Sequence, residues 1–143
     1  RVGIRFSPNI YSQGVEDSDP IRLFTAHAER LAELQVPWIE LREAHQPTSA
    51  GAVPTKPVSP AMRPLYSGRI LLNSDYDGPS ARQRLAEGVA DGISFGRPFI
   101  SNPDLVHRLA VGAPLSPGDV STFYSGDSEG YVDYPAIGQA EAA

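Results

Sequence analysis

The sequence predicts an α/β fold of parallel strands joined by helices. Three observations carry that prediction. Short β-favouring runs alternate with amphipathic segments four times along the chain, turn-forming residues separate the runs, and each strand-to-strand interval is long enough for a helical crossover. Glycine (13) and proline (14) make up 27 of the 143 residues, so loops take a large share of the chain and a coiled coil or plain helical bundle is excluded.

Val2 to Ser7 alternates apolar with small or polar residues, the period of a strand. Ser18 and Asp19 before Pro20 supply a cap and a proline suited to the first helical position, and Leu23, Phe24, Ala28, Leu31 and Leu34 follow at helical spacing to about Gln35. Pro37 to Leu41 reads as a second strand. After a loop rich in Pro, Thr and Ala, Ser59 to Arg63 begins a short helix. Arg69 to Asn73 is a third strand, followed by a helix that Ser80 caps and that carries Ala81, Leu85 and Ala86. Gly92 to Phe95 is a fourth strand, and Asn102 and Pro103 cap a last helix with Leu105, Val106 and Leu109. The order is βαβαβαβα, with crossovers of the usual right hand. Periodicity stops near Gly112. The segment that follows holds Phe123, Tyr124, Tyr131 and Tyr134, more aromatics than a disordered tail carries, so Thr122 to Pro135 is expected to be anchored and Gln139 to Ala143 to be loose.

Charge and composition narrow the function classes. A net charge of −5 argues against a nucleic-acid groove, and no apolar run approaches a membrane span, so the chain reads as soluble and cytoplasmic. Cysteine is absent, which excludes thiolate chemistry, and the three histidines, His27, His45 and His107, lack metal-ligand spacing, so no metal site is expected.

In a (β/α) barrel the reactive groups lie past the carboxyl ends of the strands. That rule selects Asn73, Ser74 and Asp75 after the third strand and Gly96 and Arg97 after the fourth. Gly96 lets backbone approach an anion and Arg97 adds a planar charged fork, the alternative being an ordinary turn with a solvent-facing arginine. On the first strand Gly3, Arg5 and Ser7 share one face while Val2, Ile4 and Phe6 share the other. The apolar face should meet helices, which sends Arg5 inward, where it meets either an anionic or electron-rich ligand or a structural partner such as Glu40 on the adjacent strand.

The stretch Gly88-Val-Ala-Asp-Gly-Ile-Ser-Phe-Gly-Arg-Pro-Phe-Ile-Ser-Asn-Pro-Asp-Leu-Val106, with Gly112-Ala-Pro-Leu115, Thr122-Phe-Tyr124, Glu129-Gly-Tyr131 and Asp133-Tyr-Pro135, closely resembles the carboxyl-terminal region of the Old Yellow Enzyme family of flavin-dependent ene-reductases. Arg1-Val-Gly-Ile-Arg-Phe-Ser-Pro8, Asp17-Ser-Asp-Pro20 and Leu72-Asn-Ser-Asp-Tyr-Asp77 resemble further family segments in the same order, so the resemblance spans nearly the whole chain. It implies a TIM barrel of which residues 1–112 supply strands five to eight, with residues 113–143 as an aromatic-rich tail packed on it. It also implies FMN as cofactor, NAD(P)H as reductant and electron-poor alkenes such as enones as substrates.

By the same resemblance Arg5 sits beside the flavin N1 and C2-carbonyl edge and stabilises the reduced anion. Asn73, Ser74 and Asp75 fall at the seventh strand and the phosphate loop after it, Gly96 and Arg97 in the loop after the eighth, and Phe123 and Tyr124 form the aromatic pair that closes over flavin and substrate, with Tyr124 lining the substrate pocket. Many relatives have Gly-Gly in place of Ser74-Asp75. A carboxylate beside a phosphate would repel it, so Asp75 is expected to turn outward. The family's first four strands, which carry the carbonyl-binding pair and the proton donor, have no counterpart in this sequence. A complementary amino-terminal half is therefore the expected partner, and the alternative is a non-catalytic half-barrel that binds FMN or another phosphate compound.

Overall fold

A computed structural model describes residues 2–8, 17–43, 56–124 and 127–139. The chain divides into two compact units, Arg1–Ser94 and Phe95–Ala143.

The first unit is a four-stranded parallel sheet, β1 (Ile4–Phe6), β2 (Trp38–Arg42), β3 (Arg69–Asn73) and β4 (Gly92–Ser94), with helices α1 (Pro20–Glu33), α2 (Ser59–Met62) and α3 (Gly78–Ala86) and a 3-10 turn at Arg63–Leu65 between its strands. The strands lie side by side in chain order, each parallel to the next. Every crossover therefore advances by one strand in the same direction. That is the winding of a barrel; a doubly wound sheet reverses its strand order partway.

Strand alternation sorts the side chains. Ile39 and Leu41 on β2 and Ile70 and Leu72 on β3 are fully buried, and they lie in register, Ile39 with Ile70 and Leu41 with Leu72. The helices complete this apolar layer. On α1, Phe24, Ala28 and Leu31 are buried, and the Phe24 ring meets Phe6 of β1 edge-on with centroids 5.4 Å apart. Trp38, Glu40 and Arg42, with Arg69, Leu71 and Asn73, occupy the opposite face and remain partly exposed.

Local chemistry explains the boundaries. Asp19 caps α1 by accepting from the Arg22 amide at 3.1 Å, with Pro20 in the first turn, as its sequence predicts. The cap of α3 needs correction: Asp77 is the capping residue, and Ser80 lies at the third helical position, the two side chains each taking the other's backbone amide in a reciprocal box. Gly68 is required by crowding, because a Cβ there would sit 2.4 Å from the buried Tyr66 ring, whose hydroxyl donates to the Val36 carbonyl at 2.6 Å.

In the second unit the sequence predicts one helix and the structure has two, α4 (Arg97–Ile100) and α5 (Leu105–Val111). Asp104, rather than Asn102 and Pro103, occupies the cap position of α5. Asn102 is instead fully buried and takes the Ser116 amide on its Oδ1 at 2.8 Å, while its Nδ2 donates to the Pro98 and Ser116 carbonyls. The aromatic segment is tied to α5: Arg108 donates to the carbonyls of Pro114 and Pro135, and Asp104 accepts from the Ile137 amide.

Candidate functional site

In the first unit the inward face of the sheet carries a closed polar ring contributed by all four strands. Arg5 on β1 lies with its Nε 3.6 Å from Glu40 Oε2 on β2 and donates from an Nη to Asn73 Oδ1 on β3 at 3.0 Å. Asn73 Nδ2 donates to the Ser94 carbonyl at 2.9 Å and to its Oγ at 3.0 Å on β4, and the Ser94 hydroxyl donates in turn to Glu40 Oε1. Alternation puts these four residues on the face opposite the apolar layer, and the register brings Arg5 opposite Glu40 and Asn73 opposite Ser94.

Arg5 therefore has the strand partner that alternation allowed for, yet its side chain is still 52% exposed against 16% for Glu40. Its second Nη makes no bond among the described residues. Strand alternation pointed to Arg5 and the strand-end rule to Asn73, but neither to Ser94, whose inward direction follows from Ile93 facing the other way.

Past β3 the backbone turns left-handed at two successive residues without glycine, Ser74 at φ 122° and Asp75 at φ 51°. Glycine adopts this conformation without strain. The Asp75 side chain is exposed. An aspartate tolerates φ near 50°, whereas φ 122° is close to glycine-only territory and costs of order 1–3 kcal/mol. Ser74→Gly should relieve that cost, offset in part by ~0.5–1 kcal/mol of backbone entropy, for a net gain of about 1 kcal/mol in urea unfolding. A loss of stability on this change would mean that Ser74 is not strained.

Behind the ring lies a buried carboxylate, Glu43, just past β2. Its Oε2 accepts from the amides of Val58 (2.6 Å) and Ser59 (2.9 Å) and its Oε1 from the Ser59 hydroxyl (2.5 Å). Glu43 thus ties the end of β2 to the start of α2. Burial pushes its carboxyl above the ordinary value of 4.5, against the pull of these bonds and of Arg84. Burial, with the Glu43 charge second, pushes the nearby Tyr76 phenol up to about 12, so it stays protonated at neutral pH.

The folded state consequently holds the Glu43 proton more tightly than the unfolded chain does. Its titration contributes stability that is complete below the unfolded value and lost as pH rises through the folded one. The stability of the native chain relative to Glu43→Gln should therefore shrink as pH rises from below the ordinary carboxyl value to above it in chemical unfolding. A difference that is flat or widens over that range would reverse the assignment.

In the second unit, Gly96 immediately precedes α4 and no side chain caps that helix. A Cβ on Gly96 would meet nothing nearer than the Tyr124 hydroxyl at 4.0 Å, so the backbone there is open. Arg97 is exposed, and its guanidinium forms no ion pair among the described residues. Phe123 and Tyr124 differ in role despite adjacency. Phe123 is 2% exposed and packs so closely on Gly118 that a Cβ there would lie 2.7 Å from its ring, whereas Tyr124 is 75% exposed and meets Phe123 edge-on at 6.2 Å.

The histidines take the packing and surface positions their spacing suggested. His27 meets Phe6 edge-on with its Nδ1 2.8 Å from the Leu23 carbonyl, His107 is exposed on α5, and His45 lies outside the described residues, as do the last residues from 140 to 143. Among the described residues no His, Asp or Glu cluster could hold a metal, and no helix is long and apolar enough to cross a membrane.

No protein-family model matches the chain. It is similar to 12-oxophytodienoate reductase 7 of Oryza sativa subsp. japonica, 36% identical over 156 aligned residues that cover 99% of this chain and 40% of that protein. It is likewise similar to a 12-oxophytodienoate reductase-like protein of Solanum lycopersicum, 34% identical over 138 residues covering 96% of this chain and 36% of that one. Among solved structures, the old yellow enzyme homologue from Zymomonas mobilis matches with a TM-score of 0.88 and 39% identity over 93% of this chain and 38% of its own. Morphinone reductase matches with a TM-score of 0.86 and 35% identity over 96% and 36%. The chain thus spans about two fifths of the length of these relatives.

Proposed function

Because this chain belongs to the Old Yellow Enzyme family over nearly its whole length, we propose that it supplies strands five to eight and the FMN-binding half of a TIM-barrel ene-reductase, completed by an amino-terminal half that brings the first four strands. The observation that carries this reading is the inward ring. An arginine held on two sides, with no further bond among the described residues, stands on the inward face of the first strand in a sheet wound like a barrel.

The residues present fit FMN. In the first unit Arg5 would hold the flavin N1 and C2-carbonyl edge, where a fixed cation favours the electron-rich reduced ring, and Asn73 keeps that guanidinium from swinging away. The left-handed turn at Ser74 and Asp75 would offer backbone groups to the phosphate end. In the second unit the open backbone at Gly96 and the guanidinium of Arg97 would bind phosphate oxygens. By the family resemblance Phe123 would support the flavin edge and Tyr124 would line the substrate pocket.

Bound FMN supplies hydride relay from NAD(P)H to the β-carbon of an activated alkene such as an enone. What the chain's own residues would add is charge: Arg5 of the first unit for the ring, and Arg97 of the second for the phosphate. The proton donor and the groups that polarise the substrate carbonyl come from the partner half.

The test combines this chain with a polypeptide carrying the first four βα units. The purified pair is expected to show flavin absorption and to consume NADPH when cyclohexenone is added. Flavin without turnover would favour the non-catalytic FMN-binding reading, and absence of both would refute the family function for this chain.

A further inference from the structure

Glu40 is the only acidic member of the ring, and it faces Arg5 from the strand next to it. Its two oxygens are used differently. Oε1 accepts the Ser94 hydroxyl, which is itself fixed by Asn73, while Oε2 lies 3.6 Å from Arg5 Nε, too far for a strong hydrogen bond and close enough for direct charge coupling. A pair so exposed on the arginine side contributes little to stability, ~0–1 kcal/mol, so stability does not explain the arrangement. Its larger effect is on the field that Arg5 presents at the mouth of the sheet.

We propose that Glu40 is a positioning and charge-tuning residue. Clamped by Ser94, it offsets part of the Arg5 charge and so weakens the preference of the site for a reduced, anionic flavin over the oxidised, neutral one. This rests on the placement of Arg5 beside the flavin ring. Arg5 keeps its direction through Asn73, so removing the Glu40 charge leaves the guanidinium in place and makes it a stronger anion partner. The inward carboxylate thus sets the flavin to a lower reduction potential than Arg5 alone would give.

The test is the flavin midpoint potential, by dye equilibration, in the complete two-part protein. Glu40→Gln keeps the acceptor for Ser94 and removes the charge. It is expected to favour reduced over oxidised flavin roughly tenfold relative to the native residue, an upward shift of about 30 mV for a two-electron couple. Glu40→Ala, a second charge-removing variant, should move the same way. Glu40→Asp keeps the charge and should stay near the native potential, with oxidised-FMN affinity little changed in all three. An unchanged or lowered potential in Glu40→Gln, or an equal rise in Glu40→Asp, overturns the role of Glu40 while leaving flavin binding intact. Native protein that binds no flavin overturns the proposed function, and this inference with it.

Discussion

Arg97→Ala is expected to weaken FMN binding by roughly ten- to a hundredfold, the size of one charge-assisted hydrogen bond to phosphate, ~1.5–3 kcal/mol. Arg97 opens α4 directly after Gly96, is exposed, and has no ion-pair partner among the described residues, so its removal takes nothing from the packing of the second unit. The loss should therefore appear in the flavin dissociation constant and not in the unfolding curve. Riboflavin, which lacks the phosphate, separates this role from a general one: the native protein and Arg97→Ala should bind it equally. Arg97→Lys, a point charge in place of a fork, should recover only part of the affinity. An unchanged FMN dissociation constant in Arg97→Ala removes Arg97 from the site.

Leu72→Ala carries the largest expected stability effect. Leu72 is fully buried, lies between Leu41 and Ile93 in the sheet register and directly precedes Asn73. Truncating a buried leucine costs ~2–5 kcal/mol in lost burial and residual cavity, a large share of the ~5–15 kcal/mol that a domain commonly has. Chemical unfolding should show a loss in that range. Because β3 also presents Asn73 to Arg5, the same change should loosen the polar ring, and flavin affinity should fall with stability. A loss below ~1 kcal/mol would mean that the sheet does not use this residue as core.

The sequence was most legible where a local rule and the tertiary fold agree. Arg69 to Asn73 is a short apolar run bounded by polar residues, and β3 has those limits. Asp19 before Pro20 marks the start of α1 because cap and proline act within one turn. Val2 to Ser7 overstates β1, whose ladder with β2 covers only Ile4 to Phe6. The four residues of α4 escape notice because so short a segment has no period to read, and the α3 cap is ambiguous because Asp77 and Ser80 both carry capping side chains and both are used.

The site divides in the same way. Alternation is enough to turn Arg5 inward and to nominate Glu40 as its neighbour. Ser94 escapes because its role depends on Glu40 and Asn73, 54 and 21 residues away, and nothing local distinguishes it from an ordinary strand serine. The left-handed turn at Ser74 and Asp75 is invisible to propensity, since neither residue advertises positive φ as glycine would. The roles of Arg97, Phe123 and Tyr124 rest on resemblance to a family and not on periodicity.

The central claim is that this chain holds the flavin-binding half of a barrel and needs four more strands to use it. In the described sheet β1 and β4 each have a neighbour on one side only, and Trp38 and Arg5 on the inward face are left partly exposed. Quenching of FMN fluorescence tests this directly, titrated into the chain alone and into the chain mixed with a polypeptide carrying the first four βα units. Saturable, one-to-one quenching only in the mixture is the expected result, with the chain alone self-associating at micromolar concentration. Full flavin loading by a monomeric chain, or no binding in either sample, would contradict it.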